Sequence, residues 1–231
     1  MKILAIIPAR CGSKGIPFKN IIDVNGKPLI QYSIEIALQL RLNNLIDEII
    51  VSTDCNEIKE ISEHSGLKVP FLRPNNISGD KAKSIEYVLN CLQYFESKNI
   101  NYDAVIILQP TSPLRTYNDV KNALNIFSEN NNDSLISAYR EESINDLVLY
   151  HKKSDNVAIP FDRNHNEGIR RQQHGEVYVR NGAIYITTVK YIKNEKKIIS
   201  DFPLMYRMSK NSSINVDTFD DLELVRSLLC K

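Results

Sequence analysis

The apolar positions of this chain of 231 residues fall into short, nearly continuous runs separated by stretches of helical periodicity. Lys2 to Pro8 makes the first run, apolar from Ile3 to Ile7 and closed by a proline. That pattern predicts a strand covered on both faces. Ile21 to Val24 reads as a short extended piece before an Asn25-Gly26 turn. Pro28 suits the opening of a helix, and Leu29, Ile30, Ser33, Ile34, Ala37 and Leu38 recur at the spacing of one buried helical face. Asp47 to Asp54 predicts a strand with a polar carboxyl end, and Asp54 is expected to cap the helix carrying Ile58 and Ile61. Val69 to Leu72 predicts a third short strand.

Ser84 then leads into an amphipathic helix through Leu89, Leu92 and Phe95. Tyr102 to Gln109 is the most continuous apolar strand, and two prolines, Pro110 and Pro113, stop it. A helix over roughly 118–128 and a strand at Ser134 to Ala138 follow. Near the end, Glu176 to Val179 and Ala183 to Thr187 read as two strands joined by a turn at Asn181-Gly182. Ser212 to Asp217 predicts a last strand, Thr218 an N-cap, and Phe219 to Leu229 the closing helix. The alternation predicts an α/β fold with a doubly wound, mostly parallel sheet, in one domain over residues 1–231. The pattern breaks between Tyr139 and Gly175. A segment this long without periodicity is usually functional.

Composition narrows the picture. The apolar fraction of 42% is enough for a core, and a formal charge of +1 gives no global field for nucleic acid or a membrane surface. No apolar run reaches membrane-spanning length, and the chain opens directly on a strand without a leader pattern. Cys11, Cys55, Cys91 and Cys230 are scattered, with no pair at metal-ligand spacing in sequence. They read as free thiols, and a cytoplasmic location is expected. His151, His165 and His174 are expected to be exposed and to hold no metal.

The candidate chemistry lies at the strand ends. After Pro8 come Ala9, Arg10, Cys11, Gly12, Ser13, Lys14, Gly15, Ile16, Pro17, Phe18, Lys19 and Asn20. A flexible cationic loop at the carboxyl end of a parallel strand is where open α/β sheets bind ligands. Its glycines allow close backbone approach, and its cations suit phosphate. It is neither a Walker A loop nor a dinucleotide fingerprint, because Gly15 precedes Ile16 and position 10 is no glycine. Gln109, Thr111, Ser112 and Arg115 form a second polar group at a strand end. A glutamine there gives up apolar burial unless it meets a ligand.

The loop resembles that of the CMP-sialic acid synthetases, the acylneuraminate cytidylyltransferases. Leu108 to Arg115, Arg171 to Gln173 and Asn181 to Ile186 also resemble family segments, in the family's order. The resemblance implies a Rossmann-like nucleotide-sugar transferase fold and a dimer contact built by the 139–175 segment. It implies Mg²⁺-dependent transfer of CMP from CTP to the anomeric hydroxyl of a nine-carbon 2-keto acid sugar, such as N-acetylneuraminic or legionaminic acid, with release of pyrophosphate. The implied substrates are therefore CTP and an acidic nonulosonic sugar, and the implied partner is a second copy of the chain. Arg10, Lys19 and Gln109 would take catalytic roles. Arg10, Ser13, Lys14, Asn20, Arg73, Ala82 and Ser84 would hold the nucleotide. Gln109, Arg171, Asn181 and Tyr185 would hold the sugar, and Asp217 with Asn215 the metal. The family commonly has two aspartates before the last helix; here Asn215 replaces the first. The nearest rival, the cytidylyltransferase of 3-deoxy-manno-octulosonic acid, typically continues its loop differently, with Ser-Thr-Arg-Leu-Pro-Gly-Lys. A nucleotide-binding regulator without catalysis is the remaining alternative.

Overall fold

The computed structural model describes residues 1–167 and 175–230. Its frame is a sheet of six strands: β1 (Ile3–Pro8), β4 (Glu48–Ser52), β5 (Ala104–Leu108), β6 (Ser134–Glu141), β9 (Val177–Thr188) and β10 (Leu204–Met208). They lie in the order β10-β6-β9-β5-β1-β4. β1 runs parallel to both β4 and β5, and β10 runs parallel to β6. β9 alone is antiparallel, to β5 on one side and β6 on the other. The expected doubly wound, mostly parallel α/β sheet is what the chain forms. β2 (Asp23–Val24) and β3 (Lys27–Pro28) make a small hairpin around Asn25 and Gly26, both at positive φ.

The helices are α1 (Leu29–Leu42), α2 (Asn56–His64), α3 (Ser84–Glu96), α4 (Tyr117–Glu129), α5 (Val189–Glu195) and α6 (Phe219–Leu229). They cover both faces because strand side chains alternate. Ile3, Ala5 and Ile7 of β1 join the core layer that holds Ile34 of α1, Ile58 of α2 and Leu124 of α4. Leu4 and Ile6 point the other way, into the layer of Val88 and Leu92 of α3 and Ile192 of α5. β5 divides in the same manner and is buried throughout. Each such Leu or Ile contributes about 1.5–3 kcal/mol on burial, so the two central strands anchor the fold. A third layer joins Ile16 of the first loop to Val24, Leu29, Val216, and Leu222 and Val225 of α6. The first loop is therefore pinned by a fully buried side chain, where the sequence reading expects flexibility.

Four expectations need correction. Asn181-Gly182 does not separate two strands. β9 is continuous, and its register against β6 shifts between Ile136 and Ala138. Gly182, at φ +75°, sits in that irregularity, and the Asn181 side-chain oxygen accepts hydrogen bonds from Ala183 N and Ser137 Oγ. A bulge bends the strand here without ending it. Val69 to Leu72 is no strand: Pro70 interrupts it, and Val69 is buried as loop. Asp54 does not cap α2; its Oδ1 accepts from Cys11 N at 2.8 Å, and Cys55 holds the N-cap position. Ser212 to Asp217 carries a 3₁₀ turn at Asn211–Ser213 and no strand. Thr218 does cap α6, accepting from Asp221 N at 3.2 Å.

The 139–175 segment also has more structure than its composition suggests. β7 (Tyr150–Ser154) and β8 (Val157–Pro160) pair as an antiparallel hairpin whose strands are exposed up to Pro160. His151 is exposed as expected, but His165 is half-buried and bonds Tyr150 Oη at 2.8 Å. His174 lies outside the described residues. Among the described residues, no helix is long and apolar enough to cross a membrane.

Arg115 braces the sheet at the end of β5. It is 2% exposed and donates to Gln109 O at 3.1 Å, Ala183 O at 2.7 Å and Ser33 Oγ at 2.7 Å. Burial pushes its pKa down to about 9, which leaves it charged at neutral pH. Arg115→Ala strands three buried acceptors, each costing about 1–3 kcal/mol when unpaired. Chemical denaturation should show a loss of stability of at least ~2 kcal/mol; a loss below ~0.5 kcal/mol would show that these groups find other partners.

Candidate active site

The carboxyl ends of β1 and β5 open into a cleft of about 350 Å³. Four separated segments line it. The first loop gives Arg10, Gly12, Ser13, Lys19 and Asn20. The 73–87 stretch gives Arg73, Ser78, Gly79, Asp80, Ala82, Ser84 and Tyr87. The end of β5 gives Gln109, Pro110 and Thr111, and the segment before α6 gives Asn215 and Asp217. Parallel strands that all end at one edge of the sheet bring these segments together.

Local contacts set each side chain. The Asn20 amide donates to Arg10 O at 2.9 Å and closes the loop on itself. Phe18 takes a positive φ of 51°, which turns the chain so that Lys19 reaches Asp217. The Lys19 ammonium lies 2.8 Å from Asp217 Oδ1. Gly15 makes that approach possible: a Cβ there would stand 2.2 Å from Asp217 O. Arg10 and Lys14 both pair with Asp80, at 2.7 and 3.1 Å. Those two cations hold the Asp80 carboxyl below its ordinary range. Exposed pairs of this kind are worth about 0–1 kcal/mol, so a polyanion can displace Asp80 readily.

Arg73 is of another kind. It is 5% exposed, stacks over the Tyr87 ring at 4.9 Å and donates from Nε to Ser52 Oγ at 3.0 Å. A further guanidinium nitrogen donates to Ser52 O. Burial lowers its pKa. Two of its nitrogens are thus committed to the end of β4, and the rest of the group borders the cleft. Ala82 and Ser84 line the same wall at the start of α3.

Asn215 is held on both sides. Its Oδ1 accepts from Ser112 Oγ at 2.6 Å, and its Nδ2 donates to Asn181 O at 2.6 Å. Asn181 is 3% exposed, and its amide is occupied by Ser137, Ser213, Met208 and Ala183. Its side chain holds the bulge and does not line the cleft. Tyr185 is also buried and outside the lining, with Arg180 over its ring at 5.9 Å. An atom added at Gly182 would nonetheless be 3.6 Å from Tyr185 Oη and 4.0 Å from Gln109 Oε1. The bulge thus borders the Gln109 end of the cleft. Arg171 lies outside the described residues. Lys14 is not among the lining residues but joins Arg10 through Asp80.

Asp80, Tyr87 and Thr111 are cleft residues that sequence reasoning did not select. Asp80 left no signal, because an acid in a polar loop is ordinary. Its role depends on Arg10 and Lys14, which are distant in the chain.

Comparison with known proteins accords with this geometry. Residues 4–219 match the family described as Cytidylyltransferase. The chain is a cytidylyltransferase. As such it is a nucleotidyltransferase enzyme. The cytidylyltransferase is 39% identical over 228 residues to a pseudaminic acid cytidylyltransferase of Campylobacter jejuni, covering 99% of this chain and 96% of that one. It is 31% identical to a CMP-N,N'-diacetyllegionaminic acid synthase of Legionella pneumophila, covering 99% and 97%. Among solved structures it is similar to a CMP:2-keto-3-deoxy-manno-octonic acid synthetase complexed with CTP, at TM-score 0.71 and 21% identity over 100% and 99% of the two chains. That last likeness shows the fold.

Gly15→Ala tests the contact between loop and Asp217. The new Cβ must push one of them away, so turnover of CTP should fall at least tenfold, about 1.4 kcal/mol in the barrier. Circular dichroism should show the fold retained. Unchanged turnover would show that the approach of Gly15 to Asp217 is not needed for activity.

Proposed function

We propose that this cytidylyltransferase transfers CMP from CTP to the anomeric hydroxyl of a nine-carbon nonulosonic acid, and that pseudaminic acid is the sugar. The observation that carries the reaction is the cleft, which gathers Arg10, Lys19, Gln109 and Asp217 from segments far apart in sequence. The choice of sugar rests on the names of the two bacterial relatives, both of which carry a nonulosonic acid, with the pseudaminic acid enzyme at 39% identity.

In the proposed reaction the anomeric oxygen attacks the α-phosphorus. A new P–O bond forms, the bond to the bridging oxygen breaks, and pyrophosphate leaves. Arg10 and Lys14 turn from Asp80 to the triphosphate and offset charge on the leaving group. Lys19 and Asn20 sit at the neck of the loop, where the nucleotide would pass. Arg73, Ala82 and Ser84 border the wall proposed for the base. Gln109 can donate to one substrate and accept from the other, which fixes the angle of attack. Arg171 is the proposed partner of the sugar carboxylate, since a guanidinium matches a carboxylate bidentately.

Mg²⁺ is part of this proposal, and the residues present fit it. Mg²⁺ is usually held by one or two carboxylates together with substrate phosphates and water. Asp217 supplies an exposed carboxylate at the cleft. Asn215 adds no charge, and its oxygen already accepts from Ser112. Asp217 therefore carries the protein's share of the site. When bound, the ion would neutralise charge between the phosphates.

Homodimer formation is proposed through the 139–175 segment. Val148, Tyr150, Val157, Ile159 and Phe161 expose apolar surface on or beside the β7–β8 hairpin. A mass twice that of one chain is expected by light scattering at micromolar concentration; a monomeric mass would overturn the dimer.

Pyrophosphate release with CTP, Mg²⁺ and a panel of sugars tests the reaction. Pseudaminic acid should give the highest rate over legionaminic, N-acetylneuraminic and 3-deoxy-manno-octulosonic acids. Arg10→Ala and Gln109→Ala should each lower that rate at least tenfold, about 1.4 kcal/mol. Preference for another sugar would overturn the substrate. CTP binding without release for any of them would favour a regulator.

A further inference from the structure

Cys11 and Cys55 lie far apart in sequence but meet in the fold. Cys11 follows Arg10 in the first loop, and Cys55 opens α2 beyond the end of β4. The Cys11 Sγ, the Cys55 Sγ and a Glu57 carboxylate oxygen all lie within 4.8 Å of one another. The Cys55 thiol donates to Glu57 Oε2 at 3.3 Å, and the two thiols are within hydrogen-bonding reach of each other. Zinc bonds sulfur at about 2.3 Å and oxygen at about 2.0–2.2 Å, which gives a tetrahedron with edges of roughly 3.6–3.8 Å. The three donor atoms already stand close to three corners of such a figure.

The backbone around them is braced. Asp54 Oδ1 accepts from Cys11 N at 2.8 Å, and Thr53 Oγ1 accepts from Cys55 N at 3.1 Å. These bonds fix where each cysteine side chain starts. Cys11 is half-buried, Cys55 is buried and Glu57 is exposed, so the cluster has a sheltered side and an entry side.

We propose that Cys11, Cys55 and Glu57 form a site for a thiophilic divalent cation of the Zn²⁺ class, with the fourth corner open to water. Two sulfurs and one carboxylate select such a cation over Mg²⁺, which takes oxygen ligands. Binding releases both thiol protons to solvent. A disulfide between the same residues is the weaker use of the pair. Burial pushes the Cys55 thiol up to about 11, which leaves little thiolate for exchange. A bound cation would tie the loop that carries Arg10 to the start of α2, next to the nucleotide cleft.

Titration with Co²⁺ tests the site, in a reducing buffer with excess Mg²⁺. The thiolate-to-cobalt absorption should saturate at a single equivalent per chain, and Zn²⁺ should displace it. Glu57→Gln should weaken Co²⁺ binding at least tenfold; that position is exposed, so the variant keeps its fold. Cys11→Ser and Cys55→Ala should each remove the tight phase, with metal-free melting curves confirming that they fold. Cys230→Ser should leave it unchanged. Absence of the absorption in the unaltered chain would overturn the proposal. So would an absorption that survives all three site variants, or one lost on Cys230→Ser.

Discussion

A guanidinium with no acid in hydrogen-bonding contact is buried at the carboxyl end of this sheet. Arg115 donates to the carbonyls of Gln109 and Ala183 and to the Ser33 hydroxyl. Those groups belong to the end of β5, the bulge of β9 and the inner face of α1. Desolvating a charge is costly, and carbonyl dipoles repay that cost only when several converge. The geometry is therefore restrictive. Where Gln109 leaves the strand, where β9 bends and how α1 sits are all set by one fork. Ser112 and Asn215 extend the same network to the segment before α6, and Asn215 in turn bonds the backbone of Asn181. The cleft inherits its shape from this polar frame behind it.

The first loop is held by apolar packing and shape instead. Ile16 is fully buried among Val24, Leu29 and α6, and Gly15 has no room for a side chain against Asp217. These two neighbours bring a cationic loop and an acid from near the carboxyl terminus into contact. Neither needs the other's charge to be there. The Lys19–Asp217 pair forms because packing has already placed the backbones.

How much of this the sequence showed follows the range of the forces involved. β1 and β5 were legible because burial on both faces makes each residue apolar, and α6 because its cap and first-turn acids act within one turn. The cationic loop and Gln109 were legible as polar interruptions at strand ends. β9 was misread as two strands because a glycine at positive φ signals a turn and a bulge alike; the difference is its pairing with β6. α5 and β10 passed unassigned, the first a short helix containing valine, tyrosine and isoleucine, the second a half-exposed edge strand. Val69 is buried by tertiary packing, with no strand to explain it. Asp80, and the meeting of Cys11 with Cys55, depend on segments that only the fold brings together.

Burial separates the polar residues at this edge into two groups. Arg73, Arg115 and Asn181 are nearly closed to solvent and most of their polar atoms have protein partners. Removing one of them leaves partners stranded, so its loss registers first as stability. Lys14, Asp80 and Asp217 are open, with side-chain exposures of 79%, 43% and 70%, and they hold one another through pairs that water screens. Such pairs exchange partners at little cost. An anionic nucleotide that offers several phosphate oxygens at once competes well against single carboxylates, and Asp80 keeps Arg10 and Lys14 together until it arrives. The chemistry of the cleft thus falls to its weakly held residues, and its precision to the strongly held ones behind them.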